Sequence, residues 1–370
     1  MWFPTIQFTC KIYNLTTKEQ TWRSLTVSNF VSPPPGQDKR SCKADPFSIT
    51  HRSTGNDPAI AESYAITVNL SADLQIILTV SRPSEASGFK VGKGEKGGFS
   101  YFGKDAKDAE GYVVHRFWPH TTAEGHIIRN GVAQTIKAST GMFVHAIQGM
   151  RPNLVASRWN FGWFSTPEKG GVSAIQMEFT TPGTYGKKGS GSGGTIINVG
   201  SIVIGGKLAS VTAETRWKGE EDIVAGDVQS RAVHYDTVLD SDTSYKAPSK
   251  LGFYWTAPSV IPDATGRVKA ELEVETGSGH APEGLIEKVD ILGEIPWALK
   301  QIVYATGTKP YMYQVSDQPM QSSWACLTSS SSQWLKPATL KVTAPTQMLG
   351  GDNESEEIPG NVYMEATFIS

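Results

Sequence analysis

The sequence predicts an all-β chain, a sandwich or barrel of antiparallel strands. Three observations predict it. Apolar and polar residues alternate with period two in many short runs, the spacing of a strand with one face buried. Glycine and proline, 37 and 21 of 370 residues, fall between those runs as turn formers. One stretch alone carries a helical pattern, so long helices are not the framework.

The runs follow in order. Thr5 to Tyr13 alternates from the start, with Ile6, Phe8, Cys10 and Ile12 on one side. Ser63 to Leu70 and Leu74 to Val80 form a second pair. Met142 to Ile147 and Arg158 to Phe164 come next, then Ala174 to Phe179, Thr195 to Ile204, Arg267 to Val274 and Val362 to Ile369. Asn130-Gly131 and Gly205-Gly206 suit two-residue hairpin turns, which need positive φ at both positions. Pro296 to Tyr304 is the short helix near the C-terminus, with Pro296 at its first turn and Gly307 beyond its end. Gly186 to Gly194 reads as a Gly/Ser-rich loop, and Asp352 to Glu357 as a solvated acidic loop before the last strand. A boundary near Trp118-Pro119 predicts domains 1–118 and 119–370.

The charge balance narrows the function. Thirty-four Lys and Arg against 36 Asp and Glu leave a net charge of −2. That gives no long-range field to hold nucleic acid. Cys10, Cys42 and Cys326 are too few and too scattered for a disulfide framework or a zinc site. No run of 18 apolar residues supplies a membrane-crossing helix. No secretory leader is visible, so a soluble intracellular chain is expected.

Motifs for cofactor chemistry fail on context. Gly92/Gly94/Gly97 and Gly189/Gly191/Gly194 match G-x-G-x-x-G, but neither opens a helix whose N-terminus would hold a pyrophosphate. The seven histidines form no i,i+2 or i,i+4 pair, so no metal site and no cofactor are expected. No catalytic residue is assigned.

The segment from Gly141 to Phe164 is the densest in chemistry. Alternation puts Phe143, His145 and Ile147 on one face of their strand. It puts Arg158, Asn160 and Gly162 on one face of the next, with Trp159, Phe161 and Trp163 opposite. His145, Gln148, Arg158, Asn160 and Glu178 then make a polar set inside an otherwise apolar cavity. Buried polar groups need partners, so they bond either one another or a ligand head group.

This segment also carries a family resemblance. Phe117-Trp118-Pro119, the run Gly141 to Pro152, Ser157 to Phe161, Met177 to Pro182 and Ile197 to Gly200 strongly resemble the fungal survival factor 1 family. Gly88 to Gly92, Tyr101 to Gly103, Gly284 to Asp290, Glu294 to Pro296, Gly307 to Tyr311 and Glu365 to Ser370 extend the match over essentially the whole chain. The resemblance implies two consecutive lipocalin-like antiparallel β-barrels. It implies a lipid-binding protein that takes ceramide from the endoplasmic reticulum to the Golgi without vesicles. It also implies a link to survival under oxidative stress.

The partner expected is a sphingolipid or other hydrophobic small molecule. The expected location is the cytoplasm, with the Golgi and endoplasmic reticulum surfaces and the nucleus. Three departures from the family pattern stand out. The chain starts at a strand the family reaches later, so the first barrel is expected to lack its opening strands and its membrane-contacting segment. Gly186 to Gly194 and the Ser-rich stretch Ser322 to Ser332 are additions. The alternative reading is an enzyme of the same fold, a cyclase or isomerase of Diels–Alder type acting on a hydrophobic metabolite. His145, Arg158 and Glu178 would be its first candidates.

Overall fold

A computed structural model describes residues 6–14, 17, 19–53, 57–90, 100–102, 109, 111–148, 156–182, 194–216, 228–277, 284–293, 300–301, 304, 309–316, 338–350 and 354–369. Strands dominate, as the alternation requires. They group into two units, Met1–Ser87 with His120–Phe143, and Gly88–Pro119 with Val144–Ser370.

In the first unit, β1 (Gln7–Tyr13) and β2 (Gln20–Thr26) pair as a hairpin. β3 (Cys42–Ala44), β4 (Phe47–Ser53), β5 (Ile60–Ser71) and β6 (Leu74–Pro83) follow as an antiparallel meander. In the second unit, β7 (Phe89–Lys90) and β8 (Ser100–Phe102) pair with the first half of β9 (Gly111–Arg129). Trp118 and Pro119 lie within β9. The second half of β9 pairs with β6 and turns into β10 (Val132–Gln148), giving the order β10-β9-β6-β5-β4-β3. That turn is Asn130-Gly131 with φ of 50° and 76°. Two positive φ values give the turn whose twist matches its strands.

The second unit continues with β11 (Arg158–Thr166), β12 (Val172–Thr180), β13 (Ile196–Ile204) and β14 (Lys207–Arg216). Gly205-Gly206 turns β13 into β14, again with two positive φ values. Then come β15 (Gln229–Leu239), β16 (Lys246–Pro258), β17 (Arg267–Glu275), β18 (Leu285–Asp290), β19 (Tyr311–Ser316), β20 (Ala338–Thr343) and β21 (Ser355–Phe368). The sheet order is β14-β13-β12-β11-β21-β20-β17-β16-β15. β21 ties it together: Ser355–Gly360 pairs with β20, and Asn361–Phe368 pairs with β11.

This sheet curls until its ends meet, because Ser230 on β15 bonds to side chains of β12, β13 and β14. The barrel interior is dense. Phe164, Ile202, Phe253, Trp255, Leu272 and Leu340 are fully buried within it. Each such side chain contributes roughly 1.5–3 kcal/mol. Two glycines make room for the largest. A Cβ on Gly162 would stand 2.9 Å from the Phe253 ring, and one on Gly200 would stand 2.8 Å from Trp255 Nε1. Trp255 uses that space to donate to Ile175 O at 2.9 Å.

The all-β expectation holds, with two adjustments. Lys300, Gln301 and Tyr304 are helical, while the rest of Pro296 to Tyr304 is outside the described residues. A second helical turn, Thr346–Leu349, follows Pro345 and ends at Gly350 with φ 71°. Four residues are too few to show a helical period. The acidic stretch expected as a loop is partly strand: Ser355, Glu356 and Glu357 open β21. They are held there by pairing with β20 and by the Lys169–Glu356 ion pair at 3.0 Å. The Gly/Ser loop from Gly186 to Gly193 and the Ser-rich stretch lie outside the described residues.

Candidate functional site

Strand register builds a polar row inside the second barrel. Asn160, Glu178, Asn198 and Glu214 stand side by side on β11, β12, β13 and β14. β15 crosses over this row and supplies its partners. His234 Nε2 donates to Asn160 Oδ1 at 2.7 Å. The Ala232 amide donates to Glu178 Oε2 at 3.1 Å, and so does Asn198 Nδ2 at 3.1 Å. Ser230 Oγ donates to Asn198 Oδ1 and accepts from Gln176 Nε2 at 2.9 Å and Thr212 Oγ1 at 3.0 Å. The Ser230 amide donates to Glu214 Oε2 at 3.2 Å.

Charges gather at one side of this row. Arg216 lies 3.6 Å from Glu178 and 3.8 Å from Glu214, and Arg231 lies 3.8 Å from Glu214. Burial pushes the Glu178 carboxyl up. The Ala232 amide, Asn198, Arg216 and Arg158 pull the other way. Burial also pushes His234 down to about 3, and the Arg158 charge adds to it. His234 is therefore neutral at physiological pH. Its Nε2 carries the proton, since Asn160 Oδ1 can only accept.

The five residues singled out from the sequence divide. Asn160 and Glu178 stand in this row and Arg158 beside its end, opposite Thr180, with Trp159 and Phe179 stacked on the other face of the sheet at 5.2 Å. His145 is half-buried on β10, in the other sheet. Gln148 ends β10, and its side chain lies outside the described residues. Sequence reasoning missed Asn198, Glu214, Ser230 and His234. Asn198 carried a signal, since it is a polar residue on the phase of Ile196 and Ile202, while Glu214 carried none, since its phase in β14 is Ser210, Thr212 and Arg216. The β15 residues gave none, because their partners are 16 to 74 positions away in sequence.

The first unit has a different interior. The β1–β2 hairpin and the sheet enclose a cluster with Phe8 stacked on Phe47 at 5.1 Å. Among the described residues, five side chains of this cluster are buried and twelve are only half-buried against them. The barrel of the second unit shows the reverse, with 24 buried and three half-buried. A cavity there beside Leu251 and Met364 measures about 10 Å³, room for one water at most. In the first unit a cleft of about 340 Å³ is lined by Glu19, Thr21, Arg23, Asp73, Arg129 and Leu74. Leu74 also belongs to the apolar cluster, so the cleft borders it.

Similarity to known proteins agrees with the sequence pattern. Residues 1–327 match the family described as the Svf1 family. The ceramide-binding protein svf1 of Aspergillus fumigatus is 34% identical over 370 residues, covering 99% of this chain and 79% of that protein. The ceramide-binding protein svf-1 of Neurospora crassa is 31% identical over 368 residues, covering 99% of this chain and 78% of that protein. Kievitone hydratase from Nectria haematococca aligns with a TM-score of 0.48 at 9% identity, over 98% of this chain and 80% of that one. At that score the likeness supports no inference about chemistry. The chain belongs to the Svf1 family.

Proposed function

We propose that this chain binds ceramide and holds its acyl chains in the first unit, between the β1–β2 hairpin and the sheet. The half-open apolar interior there is the observation that carries the reading. Twelve half-buried apolar side chains leave surface that a hydrocarbon chain would cover, at roughly 0.8 kcal/mol per buried CH₂. The dense second barrel offers no comparable surface among the described residues. The names of the curated relatives support ceramide as the lipid.

The same reading extends to non-vesicular transfer of ceramide from the endoplasmic reticulum to the Golgi. It extends to a cytoplasmic protein with transient membrane contact and a role in survival under oxidative stress. The family resemblance supports these steps. The test is ceramide transfer between donor and acceptor liposomes by the purified chain. Transfer is expected, and Ala44→Trp, which fills the β3 wall of the interior, is expected to slow it. No transfer together with no co-purifying lipid would sink the reading.

A further inference from the structure

At the Arg158 end of the second barrel, three guanidiniums stand against two carboxylates among the described residues. Arg216 and Arg231 share Glu214, and Arg216 also reaches Glu178. Arg158 is different. It lies in cross-strand register with Thr180 and Phe368, close enough to act electrostatically on both Glu178 and His234. Yet among the described residues its guanidinium forms no ion pair and no hydrogen bond.

Three further features lie beside it. Thr180 Oγ1 is buried and has no hydrogen-bond partner among the described residues. Glu178 is 1% exposed; its Oε2 collects every donor and its Oε1 has none. The neighbouring histidine contributes no charge, since His234 is neutral. A half-buried guanidinium with no counter-ion among the described residues, beside a hydroxyl equally unpaired there, is a costly arrangement for a protein alone. It is the donor set that an oxyanion needs: a planar fork for two oxygens and a hydroxyl for a third. The Arg216 side chain keeps 21% of its surface exposed and Arg158 is half-buried, so solvent reaches both.

We propose that Arg158, with Thr180 beside it in cross-strand register, binds an oxyanion, the phosphate or carboxylate group of a ligand. Ceramide carries no such group, so this site is separate from the apolar interior of the first unit. The oxyanion arrives either free in solution or as the head group of an anionic lipid.

Calorimetric titration of the full chain distinguishes these sources. The probes are inorganic phosphate, dioctanoyl phosphatidic acid and, as the neutral control, dioctanoylglycerol. Binding of phosphate and phosphatidic acid alike marks a free oxyanion site; binding of phosphatidic acid alone marks a lipid head-group site. In either case Arg158→Gln is expected to weaken the anion by about tenfold or more, the worth of a charge-assisted fork. Thr180→Val is expected to weaken it less. Dioctanoylglycerol and ceramide binding are expected to stay as they are in both variants. Among the described residues the Arg158 guanidinium makes no ion pair or hydrogen bond, so its replacement is expected to leave the barrel intact, which circular dichroism checks. The proposal is overturned if neither anion binds the unmodified chain, or if Arg158→Gln binds both equally well.

Discussion

His234 Nε2 donates to Asn160 Oδ1 at 2.7 Å, joining β15 to β11 across the interior of the second barrel. The two residues are 74 positions apart. This bond and those of Ser230 and Ala232 close the barrel with polar contacts rather than with backbone pairing. The barrel is thereby committed to its own side chains.

Asn160→Ala leaves the His234 N–H buried and unpaired. A buried donor without a partner costs about 1–3 kcal/mol. Urea unfolding is expected to show a loss in that range, with an unchanged slope. Unaltered stability would mean that His234 finds another acceptor.

Gly162→Ala tests the fit of the barrel's two walls. The new methyl would meet the Phe253 ring at 2.9 Å, and Phe253 is fully buried. Overpacking of this kind costs about 1–3 kcal/mol. A thermal melt is expected to fall accordingly, and the smaller side chain of Phe253→Leu is expected to recover part of the loss.

His115 is 3% exposed on β9, and neither of its ring nitrogens has a hydrogen-bond partner among the described residues. Burial pushes it down to about 4 from the ordinary 6.5. The unfolded chain therefore binds a proton more readily than the folded one between pH 6.5 and about 4, and stability is lost as pH falls through that window. His115→Leu removes two unpaired nitrogens and the titration together. The variant is expected to be more stable at pH 7.5. Its advantage is expected to grow by about 1.4 kcal/mol at pH 5.5. Denaturant unfolding at the two pH values measures both; an advantage that does not grow on acidification would contradict the buried neutral state.

Glu178 works in the opposite direction. Its carboxyl is raised by burial, so the folded state holds the proton more tightly than the unfolded state does. Its contribution is fully present below the ordinary carboxylate range and is lost as pH rises above it. Glu178→Gln keeps the shape without the charge. Its stability relative to the unmodified chain is expected to rise from pH 5 to pH 8 in the same unfolding assay, and a fall over that range would refute the assignment.

Much of this was legible in local pattern. Period-two alternation located the strands, as at Arg267 to Val274, where Val268, Ala270, Leu272 and Val274 all face the core. Asn130-Gly131 and Gly205-Gly206 marked their hairpins because positive φ is a property of those residue types. Alternation also set Arg158, Asn160 and Gly162 on one face. What it could not give is closure. Ser230, Ala232 and His234 are ordinary strand residues until β15 is brought over β12, and that depends on how the whole sheet curls. The contrast between a filled second barrel and a half-open first unit was hidden for the same reason, since it depends on volumes and not on the order of apolar and polar residues.

Cys10 and Cys42 both lie half-buried on the apolar cluster of the first unit, where burial raises their thiols and slows their reaction. They report directly on that interior. Alkylation by N-ethylmaleimide, read at each cysteine by peptide mass spectrometry, is to be compared with and without bound ceramide. Ceramide in the first unit predicts that both thiols are slowed severalfold. Unchanged rates at Cys10 and Cys42, in a sample that native mass spectrometry shows to be loaded with ceramide, would place the lipid elsewhere and contradict the account.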